Sequence, residues 1–152
     1  MYLYFVLALV FAVLDQLVKF VVVQHISLGE EVSFIPGVFS FLHIRNTGAA
    51  WSMFEGQMWF FTIITIVALV VVGYLLFRYW QTNGWLFSLG LSLILGGTLG
   101  NYLDRIRLGY VVDMFKLDFI NFPIFNLADI ELTVGVGLIF IYILFEERFK
   151  HQ

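Results

Sequence analysis

Four stretches of this chain, residues 2–23, 58–80, 85–103 and 127–145, are strongly apolar, and each is about as long as a bilayer is thick. Crossing takes roughly 20 residues at a rise of about 1.5 Å each. A segment hidden in hydrocarbon has to pair its own N–H and C=O groups, which a helix does within one stretch. The expected fold is therefore an all-α membrane protein with four transmembrane helices, in a single membrane-embedded domain spanning residues 1–152. Composition agrees. Of 152 residues, 61% are hydrophobic and 12% charged, with a mean hydropathy of +0.94, far too apolar for a surface that faces only water. The first stretch reads as a span rather than a disposable leader, because it lacks a basic leading segment and a small-residue cleavage pattern and carries Asp15 and Lys19.

The connections carry most of the polar chemistry. Residues 25–57 contain a turn at Pro36 and Gly37, followed by a strand-like run from Phe39 to Arg45, so a small extramembrane β-sheet is expected between helices 1 and 2. Residues 104–126 lie on the same side, with Gly109 and Pro123 as breakers around the apolar run Tyr110 to Phe115. Four antiparallel spans force the end of the first, the start of the second, the end of the third and the start of the fourth onto one membrane face. Asp15, Lys19, Arg45, Asn46, Asn101, Asp104, Arg105, Asn126 and Asp129 all fall at those ends. Lysine and arginine counts on the two faces nearly balance, so charge alone does not orient the chain.

Several function classes drop out. The formal net charge of −3, with no basic stripe, argues against a nucleic-acid partner. Absence of cysteine removes disulfides and thiolate chemistry, and the scattered His25, His43 and His151 offer no metal-binding spacing, so neither metal nor cofactor is expected.

Each remaining motif has a plain reading beside a functional one. Asp15 and Lys19 stand four apart with the acid first, the favourable order for a helical ion pair. An unpaired charge mid-span costs on the order of 2.5–3.5 kcal/mol, so they either form a self-contained pair or orient a site from below. Gly96, Gly97 and Gly100 put small residues along one side of the third span, where another backbone can approach. Asn126 and Asp129 fit a helix N-cap and an acidic first turn. Asp113 is the single charge in an apolar run and needs a partner, for which Asp129 is available on the same face. Two close carboxyls do not both ionise cheaply; the pair can activate a water and protonate a leaving amine. Ser52, Ser88 and Ser92 are weaker nucleophile candidates, although Ser52 could use Lys19 as its base. Glu30, Glu31 and the run from Glu146 to Lys150 read as solvated ends. A small transporter or proton relay is the rival reading, but it predicts polar residues spread through the bilayer depth instead of gathered at one end. A purely structural assembly partner gives Asp113 no purpose.

Four ordered blocks carry a resemblance over essentially the whole length: Asp15 to Lys19; Asn46-Thr47-Gly48-Ala49-Ala50-Trp51-Ser52; Gly96-Gly97-Thr98-Leu99-Gly100-Asn101-Tyr102-Leu103-Asp104-Arg105 running on through Gly109 to Asp113; and Phe125-Asn126-Leu127-Ala128-Asp129. With these the chain resembles the lipoprotein signal peptidase (signal peptidase II) family. The resemblance implies a multi-pass enzyme of the bacterial cytoplasmic (inner) membrane with its site near the extracytoplasmic face and its sheet cradling substrate; apart from the resemblance, a monomer is expected. It implies Asp113 and Asp129 as catalytic residues, supported by Asp15, Lys19, Asn46, Asn101, Asp104, Arg105 and Asn126. The implied partners are membrane lipid and lipid-modified precursors, the prolipoproteins, cut on the N-terminal side of a diacylglyceryl-cysteine. One departure is visible: the family often has a small hydroxyl residue directly after the second aspartate, where this chain has Ile130. Access to the site is expected to involve the stretch around His43 and Glu55.

Overall fold

The structure, a computed structural model, describes residues 1–48 and 57–145, apart from the Met58 side chain. Its elements in chain order are α1 (Tyr2–His25), β1 (Glu31–Ile35), β2 (Phe39–Asn46), α2 (Met58–Tyr79), α3 (Gly84–Leu108), β3 (Val111–Leu117) and α4 (Leu127–Leu144). All four helices are long and apolar enough to cross a membrane. Ser52, Glu55, the Ala49 to Ser52 part of the second block and the tail from Glu146 lie outside the described residues.

Helix α3 is the hub, with α1, α2 and α4 packed around it. Its glycines explain how the neighbours come so close. A Cβ on Gly97 would stand 2.5 Å from the Ala128 carbonyl oxygen of α4, and one on Gly96 would stand 2.5 Å from the Phe11 Cβ of α1. The small residues therefore serve two neighbours on different sides of α3, where one shared side was expected. Away from the polar ends, Ala8, Leu76, Leu86, Phe87, Leu91, Leu95 and Tyr142 form the buried apolar core of the bundle. Much of the outward surface, including Ile63, Val67, Val70 and Val71 of α2, is exposed and apolar, as a lipid-facing surface has to be.

Helix α3 runs past the expected end at residue 103 and carries Asp104 and Arg105 in its last turns. It stops where Gly109 adopts a left-handed φ of 78° and its N–H bonds the Arg105 carbonyl at 3.1 Å, a conformation that glycine enters without steric cost.

The sheet is antiparallel, in the order β1-β2-β3. Its third strand comes from the connection between α3 and α4, so the sheet is not confined to the segment between helices 1 and 2. Non-local pairing joined two apolar runs that sequence leaves apart. Alternation along β3 then divides its side chains: Val112 and Met114 pack with Val22 at the end of α1, while Val111 and Asp113 face the other way, into a cavity. One irregularity decides what stands beside Asp113. Phe41 pairs with Phe115, but Ile44 pairs with Asp113, so β2 contributes one residue more than β3 between those two points. This bulge reverses the side-chain parity of β2 beyond it. Asn46 thereby joins the Asp113 face; with an unbroken register Arg45 would stand there instead.

Glu31 is not merely solvated: Lys116 of β3 donates to both its carboxylate oxygens at 2.7 Å and lies 3.6 Å from Asp118, fastening the two outer strands together across β2. His43 is buried, with Nδ1 2.8 Å from the Ile26 carbonyl oxygen, and ties β2 to the end of α1.

Candidate active site

Asp113 and Asp129 come from different elements, β3 and the first turn of α4, and line the same cavity of about 630 Å³. Asn46, Asn101, Arg105 and Asn126 share its wall. Three asparagine amides hold the two carboxylates. Asn46 Nδ2 donates to Asp113 Oδ2 at 2.9 Å, Asn126 Nδ2 to Asp113 Oδ1 at 2.6 Å, and Asn101 Nδ2 to Asp129 Oδ1 at 2.9 Å. The helix-cap reading of Asn126 and Asp129 also holds. The Asp129 N–H donates to Asn126 Oδ1 at 3.0 Å and the Asn126 N–H to Asp129 Oδ2 at 3.1 Å, a reciprocal capping box. The cap that starts α4 also holds the Asp129 side chain in place.

Behind the asparagines lies a buried charged cluster. Lys19 Nζ sits 2.8 Å from Asp15 Oδ2 and 2.9 Å from Asp104 Oδ2, and donates to Asn101 Oδ1 at 2.9 Å. Each of these carboxylates also grips a backbone amide. Asp104 Oδ2 accepts from the Val112 N–H at 3.1 Å, and Asp15 Oδ1 accepts from the Ala128 N–H at 3.0 Å. Val112 and Ala128 are the residues immediately before Asp113 and Asp129. One lysine therefore holds two carboxylates, and each carboxylate holds the peptide leading into one of the paired aspartates. Charge-assisted bonds of this kind are short and orienting. Asp15 and Lys19 are a helical pair whose reach extends to the site.

Arg105 lies over the Phe61 ring, 4.9 Å from its centroid, and donates to the Asn101 carbonyl at 3.4 Å. Among the described residues it makes no salt bridge with the paired aspartates, though their charges act on its guanidinium. Ile130 lines the cavity beside Asp129, whereas His43 does not. Ser88 and Ser92 donate back to the carbonyls of Gly84 and Ser88 in their own helix, and neither lines the cavity that holds the aspartates.

Sequence reasoning passed over Gln16 and Glu131. Gln16 Nε2 donates to Asp104 Oδ1 at 2.9 Å and to the Gly100 carbonyl at 3.1 Å, steadying the charged cluster from α1. Glu131 is 4% exposed within α4, and its Oε2 has no hydrogen-bond partner among the described residues. The available signal was a polar side chain inside an apolar span.

Burial raises the Asp113 carboxyl from its ordinary 3.8 to about 6, and the neighbouring Asp129 charge pushes the same way; the Asn46 and Asn126 amides and the Lys19 charge pull it back. Between those two values the native chain retains a proton that the unfolded chain has lost. Asp113 therefore favours folding below about pH 4, and that contribution is lost as pH rises through about 6.

A bundle of four membrane-length helices that gathers two aspartates in one cavity at one end of its spans defines a class of polytopic membrane protein with a carboxylate-lined cavity. The profile of the family described as Signal peptidase (SPase) II matches residues 7–145. The chain belongs to this family, and is a membrane-embedded peptidase of the aspartic type. It is 51% identical over 151 residues to a protein of Lactiplantibacillus plantarum named lipoprotein signal peptidase, covering 99% of each chain. It is 53% identical over 145 residues to the protein of that name in Enterococcus faecalis, covering 95% of this chain and 89% of the relative. Among solved structures, a bacterial membrane enzyme determined by the in meso method at 2.3 Å resolution superposes with a TM-score of 0.88 at 34% identity, covering 95% of this chain and 88% of that one.

Proposed function

We propose that this chain removes signal peptides from lipid-modified precursors, cutting on the N-terminal side of a diacylglyceryl-cysteine, with Asp113 and Asp129 as the reacting pair. The observation that carries the reading is that both carboxylates line one cavity and are each oriented by asparagine amides. The pair shares one proton and holds a water between its oxygens. One carboxylate takes a proton as the water oxygen bonds to the scissile carbonyl carbon; a proton is then delivered to the leaving amine as the C–N bond breaks. Asn46, Asn101 and Asn126 keep the carboxylates aimed, and Arg105 offers a cation at the rim. No cofactor enters the scheme. The proposed setting is the bacterial inner membrane, with the pair toward the extracytoplasmic side and the substrate arriving laterally from lipid, carried by its own apolar helix and acyl chains.

The deciding experiment supplies purified chain in detergent with one precursor in two forms, with and without the diacylglyceryl group. The lipidated form is cleaved immediately before its modified cysteine. The other reacts with a kcat/KM lower by about 10²-fold, because binding energy from the acyl chains positions the bond. Equal rates on both would remove lipid recognition from the proposal, and no cleavage of either would remove the substrate.

The two aspartates also make a signed titration prediction. Asp129→Asn removes a negative neighbour and lowers the midpoint of Asp113, whereas Asn46→Ala removes a bond to the ionised form and raises it. Carboxyl-carbon NMR of selectively labelled aspartate reads both shifts. Movement in the same direction in both variants would contradict the coupling.

A further inference from the structure

The cavity extends below the aspartate pair into the depth of the helices. Its lower wall is built from α2, α3 and α4, mostly of aliphatic residues such as Ile64, Ala68, Ile130, Leu132 and Val134. Three hydroxyls interrupt this surface, one from each helix: Thr65, Thr98 and Thr133. Thr98 precedes Asn101 by three residues and Thr133 follows Asp129 by four, which puts them about 4.5 and 6 Å deeper along their helices than Asn101 and Asp129. Thr65 is one turn below Phe61, the ring that carries the Arg105 guanidinium.

Hydroxyls inside membrane helices ordinarily bond a carbonyl one turn back in their own helix. Ser88, Ser92 and Thr133 do so here, Thr133 to the Asp129 carbonyl at 2.8 Å. Thr65 and Thr98 do not: among the described residues neither hydroxyl has a hydrogen-bond partner. The Thr65 residue is buried overall, yet its hydroxyl is not sealed off and is reachable from the cavity it lines. Both hydroxyls are therefore available to a molecule that enters the cavity.

The proposed reaction supplies a use. In a helix the peptide N–H and C=O are bonded to each other and shielded by neighbouring turns, so a signal peptide that enters as a helix has to unwind near the cut for the catalytic groups to reach the carbonyl carbon and the amide nitrogen. Each amide freed by unwinding sits at bilayer depth, where an unpaired N–H or C=O is costly. We propose that Thr65 and Thr98 are positioning residues that bond the backbone of the unwound precursor segment on the N-terminal side of the cut, with the Thr133 oxygen as a further acceptor. The ligand class is an extended peptide main chain, recognised without reference to its side chains. This rests on the signal-peptidase reading above, since it needs a transmembrane precursor.

The experiment measures kcat and KM of the full chain on the lipidated precursor for Thr65→Val, Thr98→Val and the double variant, beside Thr65→Ser and Thr98→Ser. Valine keeps the shape and removes the hydroxyl; serine keeps the hydroxyl. Each valine variant raises KM about 5-fold and the pair about 25-fold, with kcat within about 2-fold and the serine variants near wild type. A precursor with one upstream amide replaced by an ester supplies the second arm. Wild type loses about 5-fold on it, whereas the valine variant that faced that amide loses little more, as a shared bond requires. Unchanged KM in both valine variants overturns the assignment. So does a loss confined to kcat or matched by a lower unfolding temperature, or one that serine fails to rescue. Turnover by wild type separates this failure from that of the function: if wild type leaves the precursor uncut, the peptidase reading and the inference resting on it fall together.

Discussion

Asp113→Asn and Asp129→Asn each lower kcat on the lipidated precursor by about 10³-fold or more, with the protein still folded. A positioned acid or base contributes about 10²–10⁴-fold, and in the proposed mechanism the two aspartates act as one unit, so losing either forfeits the shared proton. The two substitutions differ in what they do to the surroundings. Both Asp113 oxygens accept amide bonds, from Asn46 and Asn126, so an amide in place of the carboxylate sets one N–H pair against another and obliges one partner to turn. Asp129 accepts from the Asn101 side chain and from the Asn126 main chain, and its replacement also weakens the cap of α4. Unfolding temperature and substrate binding are therefore measured with kcat. A variant that keeps its fold and more than about a tenth of wild-type turnover would exclude its aspartate from the chemistry.

Lys19→Met is the second large effect, first on stability and through it on activity. The ammonium compensates Asp15 and Asp104, all three side chains being nearly inaccessible. Removing one partner of a buried ionic group costs about 3–5 kcal/mol, because the other charges stay behind uncompensated. Adding Asp15→Asn and Asp104→Asn to Lys19→Met removes those charges and recovers most of the stability, while leaving side-chain oxygens for the Val112 and Ala128 N–H groups. Thermal unfolding in detergent orders the three proteins as wild type, triple variant, single variant. If the single variant is as stable as wild type, the lysine is not what holds the cluster together.

The sequence determined a good deal by itself. Length and hydropathy settle four helices, since a bilayer leaves an apolar stretch of some twenty residues little else to become. Counting crossings then delivers the polar residues to one end, and the four blocks Asp15 to Lys19, Asn46 to Ser52, Gly96 through to Asp113 and Phe125 to Asp129 carry the family likeness. The pairing of Asp15 with Lys19 was legible from a spacing of four, and the cap at Asn126 from its place before an apolar run. Gln16 and Glu131 were legible in principle, as polar side chains inside apolar spans.

Only the tertiary structure decided how these parts meet. The third strand, starting at Val111, pairs with a strand that ended at Asn46, 65 residues earlier, a pairing that no local pattern encodes. The extra residue between Phe41 and Ile44 turns Asn46, and not Arg45, toward Asp113; strand periodicity predicts faces, but a single insertion inverts them, and its location depends on how the partner strand packs. The grip of Asp104 on Val112 and of Asp15 on Ala128 likewise depends on distances across three helices. Local propensity and solvent preference are properties of residues and can be read along a line. Register, bulges and the targets of buried hydrogen bonds are set by which surfaces exclude solvent from one another, and that exists only once the chain is folded.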